Sequence, residues 1–205
     1  MDFFPLNKNI VGIRHGEALH NVVGQRYGTT VYEQFEDTTL TLNGMRQAID
    51  ADVPQPDVVL VSPLTRTLQT ATLMFPNVRM VALECLKEYP QHTEICNRRS
   101  SVSILSRLFP HVDLTDCKTE QQKWPNEYPH IDDKKHLYEY LKTLDEVNIA
   151  IVTHSSWLKF LFNGKVEAEP ELEHCTPYII CSQTNVTTSR RHQIWCPNVV
   201  PTVKK

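Results

Sequence analysis

The chain has 205 residues, with a hydrophobic fraction of 40% and a charged fraction of 22%, which is ordinary for a globular protein with a buried core. Its formal net charge of −3 excludes a strongly basic protein that binds nucleic acid or a membrane surface. No apolar run approaches membrane-spanning length, and the start, MDFFPLNKN, does not resemble a signal peptide. Six cysteines have no zinc-ligand spacing, so reduced thiols and no metal site are expected. We expect a cytoplasmic protein of one domain over residues 1–205.

The first strong pattern is the segment IVGIRHGEALHN at residues 10–21. A short apolar run ends there at Arg14, His15 and Gly16, which is typical of a buried strand that delivers its last side chains to a sheet edge. Ligands of open α/β sheets bind at that carboxyl edge. Arginine fits a phosphate with a planar fork of donors, and histidine can act as a nucleophile near neutral pH. The alternative is a buried histidine that only forms a hydrogen bond at a strand end.

The segment that follows is polar. Residues 22–39 have no clear periodicity and predict a long loop, within which Arg26 and Tyr27 could reach a substrate. Thr41 is then expected to cap a helix, because apolar residues follow it at helical spacing.

The next apolar run, at residues 57–61, predicts a central strand that is covered on both faces. Ser62 and Pro63 then predict a helix start, with Ser62 as the cap. Arg66 falls in the first turn or so of this helix, near the end of the strand. Because a cation is disfavoured at the positive end of a helix dipole, its position suggests an accompanying anion. The alternative is a surface arginine paired with an acid.

The remainder of the chain contains one more stretch that indicates a site. The elements expected in order are a strand at 78–82, an irregular polar segment at 84–97, a helix capped by Ser100, a loop at 111–131, a helix from Asp132, a strand at 148–152, and edge strands at 170–182 and 192–196. The strand at 148–152 ends just before His154 and another helix, where backbone donors favour an anion. Alone, His154 would more often be a core histidine with satisfied hydrogen bonds. The tail after about residue 197 is expected to be frayed.

Three strand ends therefore deliver two arginines and two histidines, namely Arg14 with His15, Arg66, and His154. If the strands are neighbours, these side chains converge on a point of phosphate size. Phosphoryl transfer needs positioning and neutralisation of the phosphoryl oxygens, which two arginines can supply without a metal or cofactor. One histidine would attack phosphorus and the other would donate a hydrogen bond to a phosphoryl oxygen. A carboxylic acid near the mouth would protonate the leaving group.

At this point the sequence resembles a known family. RHGEALHN, SPLTRTLQTA and VTHSSWLKFL are similar, in order and spacing, to the three signature segments of the histidine phosphatase superfamily, also called the phosphoglycerate-mutase-like family. The resemblance spans roughly residues 8–182. It implies an α/β fold with a single domain, in which a mainly parallel central sheet is flanked by helices on both faces.

The resemblance also implies roles for individual residues. His15 would be the phosphorylated nucleophile. The other members of its phosphate pocket would be Arg14, Asn21, Arg66 and His154. Glu88 falls where related mutases carry their proton donor, and Glu94 is the alternative. Arg98 and Arg99 follow this segment and would either bind a second anion on the substrate or lie solvated at the surface.

The leading hypothesis is a metal-independent phosphatase that acts on a small phosphorylated substrate through phosphohistidine and needs no cofactor. A phosphoglycerate mutase would use the same pocket but return the phosphoryl group to the substrate. A non-catalytic protein that binds a phosphorylated ligand is the alternative from another class. The sequence leaves the substrate and the oligomeric state open.

Overall fold

The computed structural model describes residues 7–28, 34–88, 95–120, 133–163, 171–181 and 193–194. The strands are β1 (Asn9–Arg14), β2 (Val58–Val61), β3 (Arg79–Ala82), β4 (Val112–Asp113), β5 (Asn148–Thr153), β6 (Pro177–Cys181) and β7 (Gln193–Ile194). The α-helices are α1 (Leu19–Tyr27), α2 (Leu42–Ile49), α3 (Thr65–Met74), α4 (Val102–Leu108), α5 (Asp133–Thr143) and α6 (Ser155–Asn163). Two 3-10 turns, Glu84–Leu86 and Ile95–Asn97, lie between β3 and α4.

The strands form one seven-stranded sheet in the order β4-β3-β2-β5-β1-β6-β7. The five strands from β4 to β1 run parallel to one another, whereas β6 is antiparallel to β1 and β7 is parallel to β6. The prediction of a mainly parallel α/β sheet is therefore confirmed. Because β5 lies between β1 and β2, the carboxyl ends of these three strands meet at one edge of the sheet.

Helices cover both faces of this sheet, as predicted. Successive residues of a strand face opposite sides, so the apolar runs divide between two cores. Leu60 packs in a core with Trp157 of α6, while its neighbour Val61 packs in the other core with Leu68 of α3 and Leu105 of α4. Both faces of the central strands are therefore covered by helices, which explains why their sequences are continuously apolar.

The predicted loop at residues 22–39 is wrong in its first part, because α1 occupies Leu19–Tyr27. The buried residue of this helix is His20, so the helix lacks the apolar periodicity that would indicate a helix in the sequence. Its start is fixed locally: the Asn21 Oδ1 atom accepts a hydrogen bond of 2.9 Å from the main-chain N–H of Ala18. The helix is thus stabilised by its start and by contacts around His20.

The helix caps are a second point of comparison. Thr41 caps α2 as predicted, because its hydroxyl accepts a hydrogen bond of 3.0 Å from the Gly44 N–H. Ser62 does not cap α3, whose first N–H donates instead to a carboxylate oxygen of Asp37 at 2.8 Å. The cap of α4 is Ser101, one residue later than predicted. At the start of α3, the side chain of Asp37, which is distant in sequence, therefore replaces the predicted local cap.

Other differences are small. Strand β4 lies within the predicted loop at 111–131, and β6 is an inner strand because β7 pairs with its outer side. Residues 131–132 and the tail after 197 lie outside the described residues, so the start of α5 before Asp133 and the frayed tail stay predictions. The five described cysteines are free thiols. Within the ranges given above, no helix is long and apolar enough to cross a membrane.

Candidate active site

The ends of β1, β2 and β5 place three of the predicted residues together. The His15 N–H donates to the Thr153 carbonyl at 3.0 Å, which anchors His15 beside the end of β5. The ring centroids of His15 and His154 are 5.1 Å apart. Arg66, the second residue of α3, donates from Nε to His15 Nε2 at 3.3 Å. These contacts form a buried group of one guanidinium and two imidazoles.

The proton on the His15 ring can be assigned from its contacts. Nδ1 lies 2.7 Å from the Gly16 carbonyl oxygen, which only accepts hydrogen bonds, so Nδ1 carries the proton. Nε2 then presents a lone pair towards Arg66. Burial and the nearby charges of Arg66 and Arg14 hold the pKa of His15 well below its usual value. His15 is therefore a neutral imidazole with a nucleophilic nitrogen at neutral pH.

His154 is arranged in a complementary way. Its Nε2 lies 2.9 Å from the Ser62 hydroxyl, and its Nδ1 lies 3.3 Å from Nη2 of Arg66. Since a guanidinium only donates, Nδ1 accepts and the proton is on Nε2. Burial, followed by the charge of Arg66, lowers the pKa of His154 well below its usual value. Ser62 therefore orients an imidazole instead of capping a helix.

Arg66 is held in place by the 3-10 turn Ile95–Asn97. Its Nη1 donates to the Cys96 carbonyl and its Nη2 to the Asn97 side-chain oxygen, each at 2.8 Å. The guanidinium is fully buried. A buried guanidinium held by neutral oxygens keeps its positive charge directed at the site, where an anion can neutralise it.

Arg14 is also buried, and it is held from the segment before β6. Its Nη2 forms an ion pair with Glu171, and its Nη1 donates to the Leu172 carbonyl at 2.6 Å. Its Nε is a buried donor that has no hydrogen-bond partner among the residues the structure describes. An unsatisfied buried donor costs about 1–3 kcal/mol, so this N–H is well suited to an incoming anion.

Two further histidines border His15, and the sequence analysis missed both as site residues. The ring centroids of His20 and His174 lie 6.0 and 5.6 Å from that of His15. Burial, together with the charge of Arg66, lowers the pKa of His20 to about 2. His20 belongs to the RHGEALHN segment, which is the only sequence signal that pointed to it. His174 lies outside the three signature segments.

Asn21 is near the site but is engaged with its neighbours. Its Nδ2 lies 3.2 Å from His20 Nε2, while its Oδ1 accepts from the Ala18 N–H. Its contact with a phosphate stays a prediction.

Glu88 is half-buried and follows the 3-10 turn Glu84–Leu86. The Leu86 carbonyl accepts a hydrogen bond of 2.6 Å from the Thr153 hydroxyl, next to His154. Glu88 is therefore two residues after Leu86, whose carbonyl contacts the end of β5. The alternative proton donor, Glu94, lies outside the described residues.

The two arginines predicted to meet a second anion have different environments. Arg98 pairs with Glu36 at 3.4 Å, and both side chains are exposed. Arg99 is buried, not solvated at the surface: it pairs with Glu84 and also donates to main-chain carbonyls. Lys87 pairs with the same glutamate at 2.6 Å. The alternative of a solvated surface arginine is therefore wrong for Arg99, whose guanidinium completes a buried ionic cluster, while the contacts of Arg98 and Arg99 with a second anion stay predictions.

Two glycines bring α2 against the loop after His15. A Cβ added to Gly16 would lie 2.5 Å from the Gly44 carbonyl oxygen, and a Cβ added to Gly44 would lie 2.0 Å from the Glu17 carbonyl oxygen. Only glycine fits at both positions without moving the main chain. In the described part of the chain, no group of three or more His, Cys, Asp and Glu residues is arranged to hold a metal ion.

Comparison with known proteins supports the resemblance seen in the sequence. Residues 10–99 match the family model described as the histidine phosphatase superfamily, branch 1. This match confirms the resemblance to the histidine phosphatase superfamily. The matched range contains Arg14, His15 and Arg66, whereas His154 follows it.

Relatives in sequence and solved structures with a similar fold match most of the chain. Phosphoglycerate mutase-like protein 1 of Arabidopsis thaliana is 28% identical over 87% of this chain and 80% of its own length. A second A. thaliana protein, named phosphoglycerate mutase-like protein, is 25% identical over 97% of this chain and 94% of its own. A putative alpha-ribazole-5'-P phosphatase from Escherichia coli has a TM-score of 0.53 and 18% identity, covering 83% of this chain and 88% of that one. The Shigella flexneri alpha-ribazole phosphatase has the same TM-score, 0.53, at 20% identity, covering 82% and 88%. These two structures share the fold.

Proposed function

We propose that the protein is a metal-independent phosphatase that hydrolyses a small phosphate ester through a phosphohistidine at His15. The observation that carries the proposal is the buried His15 Nε2, which holds a lone pair 3.3 Å from a guanidinium nitrogen of Arg66. A nucleophile beside a fixed cation is what the transfer of a dianionic phosphoryl group requires.

In the proposed first step, the substrate's phosphoryl group enters between Arg14 and Arg66. The unsatisfied Nε of Arg14 and the guanidinium of Arg66 neutralise its oxygens. His15 Nε2 attacks phosphorus in line with the leaving oxygen, the bond from phosphorus to that oxygen breaks, and the proton on Nδ1 stays hydrogen-bonded to the Gly16 carbonyl. The arriving negative charge favours uptake of a proton from solvent at His154 Nδ1, which then donates to a phosphoryl oxygen while Nε2 stays hydrogen-bonded to Ser62.

In the second step, water replaces the leaving group. Glu88 is our choice for the acid that protonates the leaving alkoxide, because it follows the turn that contacts the end of β5. The resulting carboxylate then takes a proton from the attacking water, and cleavage of the P–N bond releases inorganic phosphate and free His15.

A phosphoglycerate mutase is the second candidate function. The observation that favours it is the similarity to two A. thaliana proteins named phosphoglycerate mutase-like, which extends over 80% and 94% of their lengths. A mutase would form the same phosphohistidine but transfer the phosphoryl group back to the substrate, so the two functions differ in the acceptor of the second step.

The experiment is a screen of phosphate release and isomerisation in the presence of a chelator. The substrates are sugar phosphates, phosphoglycerates, nucleotides and phosphopeptides, and the variants are His15→Ala and the exposed control His111→Ala. We expect phosphate release from at least one class, lost about 1,000-fold or more in His15→Ala and unchanged in His111→Ala. Interconversion of 2- and 3-phosphoglycerate with little phosphate release would establish the mutase instead. Binding of esters without turnover would indicate a non-catalytic protein.

A further inference from the structure

The peptide group that joins His15 to Gly16 is held from two different elements. Its carbonyl oxygen accepts a hydrogen bond of 2.6 Å from His174 Nδ1, in the segment before β6. Its N–H donates to the Thr70 hydroxyl of α3 at 3.0 Å. The same hydroxyl donates to the Arg66 carbonyl at 2.7 Å, so the fixed peptide is also connected to the helix turn that carries Arg66.

The orientation of the His15 ring depends on this peptide group. The ring is fixed by its Nδ1 proton, which is donated to the Gly16 carbonyl at 2.7 Å. That carbonyl belongs to the next peptide group, between Gly16 and Glu17, whose N–H donates to Gln47 Oε1 at 2.8 Å. Rotation of the His15–Gly16 peptide changes the main-chain angles of both residues, so it would displace the His15 ring relative to that carbonyl. Without the His174 or the Thr70 contact, the His15 ring would therefore no longer be held in a single tautomer. The direction of its Nε2 lone pair would also no longer be fixed.

His174 is itself fixed by its neighbour in the chain. The Cys175 N–H donates to the Arg14 carbonyl at 2.9 Å, so adjacent residues bind the adjacent carbonyls of Arg14 and His15. Cys175 has a φ of +54°, a left-handed conformation that is strained for a residue with a side chain. Such a conformation persists where the surrounding contacts require it, and here it directs two donors at the two residues of the site.

The chemistry of His174 suits a permanent donor. A carbonyl oxygen only accepts, so the neutral imidazole carries its proton on Nδ1. Burial and the charge of Arg14 lower the pKa of His174, which keeps the ring neutral at neutral pH. The charged groups that act electrostatically on it are Arg14, Glu171 and Glu17, and the His20 ring also interacts with it.

We propose that His174, with Thr70 on the opposite side, is a positioning residue that fixes the His15–Gly16 peptide and thereby aims His15 Nε2 at phosphorus. This inference rests on the proposed function, in which His15 is the nucleophile. Neither residue needs to touch the substrate: each acts through the main chain of His15. Displacement of a reacting atom by about 1 Å can cost about a hundredfold in rate, so such support has a measurable effect.

The two His174 variants distinguish the role of a hydrogen-bond donor from the role of a group that titrates. His174→Asn keeps a donor, because the Asn amide nitrogen stands as far along the side chain as Nδ1, but cannot titrate; His174→Ala removes the donor. Thr70→Val keeps the shape and removes the hydroxyl, while Thr70→Ser keeps the hydroxyl. The matched control is Thr72→Val, also on α3, whose hydroxyl contacts His111 at 3.0 Å on the exposed surface.

The first readout is the rate of phosphoenzyme formation and its pH profile, measured by rapid quench. We expect His174→Ala and Thr70→Val to slow this step by about 10- to 100-fold with little change in KM. His174→Asn, Thr70→Ser and Thr72→Val should stay within about threefold of the unaltered protein, and the pH profile of His174→Asn should be unchanged. Rates within twofold of the unaltered protein for both His174→Ala and Thr70→Val would overturn the proposal. If His174→Asn were as slow as His174→Ala and its pH profile lacked one limb, the proposal would also be overturned, and His174 would instead have an acid–base role.

The second readout does not depend on turnover. The ¹⁵N chemical shifts of the His15 imidazole report which nitrogen carries the proton. We expect the Nδ1-protonated tautomer alone in the unaltered protein and a mixture of tautomers in His174→Ala and Thr70→Val. An unaltered protein without turnover would refute the proposed function, whereas unchanged His15 shifts in both variants would refute the positioning role by itself.

Discussion

Mild acid should destabilise this protein more than a protein without buried neutral histidines. His15, His20 and His154 each have a pKa that burial, and the charge of Arg66, lower far below that of an unfolded chain. Because the unfolded state binds protons that the folded state excludes, stability is full above the unfolded pKa of about 6.5 and falls as the pH drops below it.

The magnitude follows from the number of such groups. At pH 5.5, one unit below the unfolded pKa, each histidine that stays neutral in the folded protein lowers the free energy of unfolding by about 1.4 kcal/mol. The three together predict a loss of about 4 kcal/mol between pH 7.5 and 5.5. Since domains are typically stable by about 5–15 kcal/mol, this loss is a large fraction of the total.

Urea unfolding at several pH values measures this loss directly. His20→Asn removes one of the three groups and keeps a side-chain amide near the Thr38 hydroxyl, which contacts His20 Nδ1 at 2.6 Å. Between pH 7.5 and 5.5, the free energy of unfolding of this variant should fall by about one third less than that of the unaltered protein. A free energy of unfolding that is constant over this interval would refute the assignment of neutral, buried imidazoles.

Three further predictions concern residues around the site. Arg99→Ala removes one of the two cations that pair with the buried Glu84, with Lys87 still in place, and should lower the free energy of unfolding by about 1.5–3 kcal/mol, while Arg98→Ala at the surface should lower it by less than about 1 kcal/mol; equal losses in denaturant melts would contradict the buried cluster. Asp37→Asn should lower the free energy of unfolding by about 1–3 kcal/mol, measured in the same way, because the Asp37 carboxylate accepts hydrogen bonds from Thr65 at the start of α3 and from the Ser100 N–H; a neutral effect would contradict this. Glu88→Gln should slow alkyl phosphates far more than activated aryl phosphates, whose leaving groups need no proton; kinetics with equal losses on both would assign the acid elsewhere.

The strands and their common edge could be predicted because the physical cause is local. A strand covered on both faces needs a continuous apolar run, and β2 and β5 have one. Polar residues directly after such runs must lie at the carboxyl edge. Only the strand order, with β5 between β1 and β2, depended on the structure or on family resemblance.

The elements that sequence reasoning missed depend on partners distant in the chain. Helix α1 is mostly polar, and Asn21 fixes its start. The start of α3 uses Asp37 as an acceptor, so Ser62 is available for His154. Neither arrangement leaves a periodic pattern in the sequence.

The site residues divide in the same way. Arg14, His15, Arg66 and His154 each follow or lie near a strand end, and the sequence shows this. Arg99 could not be placed, because Glu84, the acid that neutralises it, is separated from it by 15 positions in the sequence. His174 also gave no signal, since its contact is with a main-chain carbonyl, which every residue has.

The most direct test of the proposed mechanism is the identity of the residue that is phosphorylated during turnover. A ³²P-labelled substrate, quenched in denaturant within one turnover and digested at alkaline pH, reveals the labelled peptide by mass spectrometry. We expect an acid-labile, alkali-stable phosphoryl group on His15 that is absent from His15→Ala and that decays with release of inorganic phosphate. A label on another residue, or full turnover of His15→Ala, would contradict it.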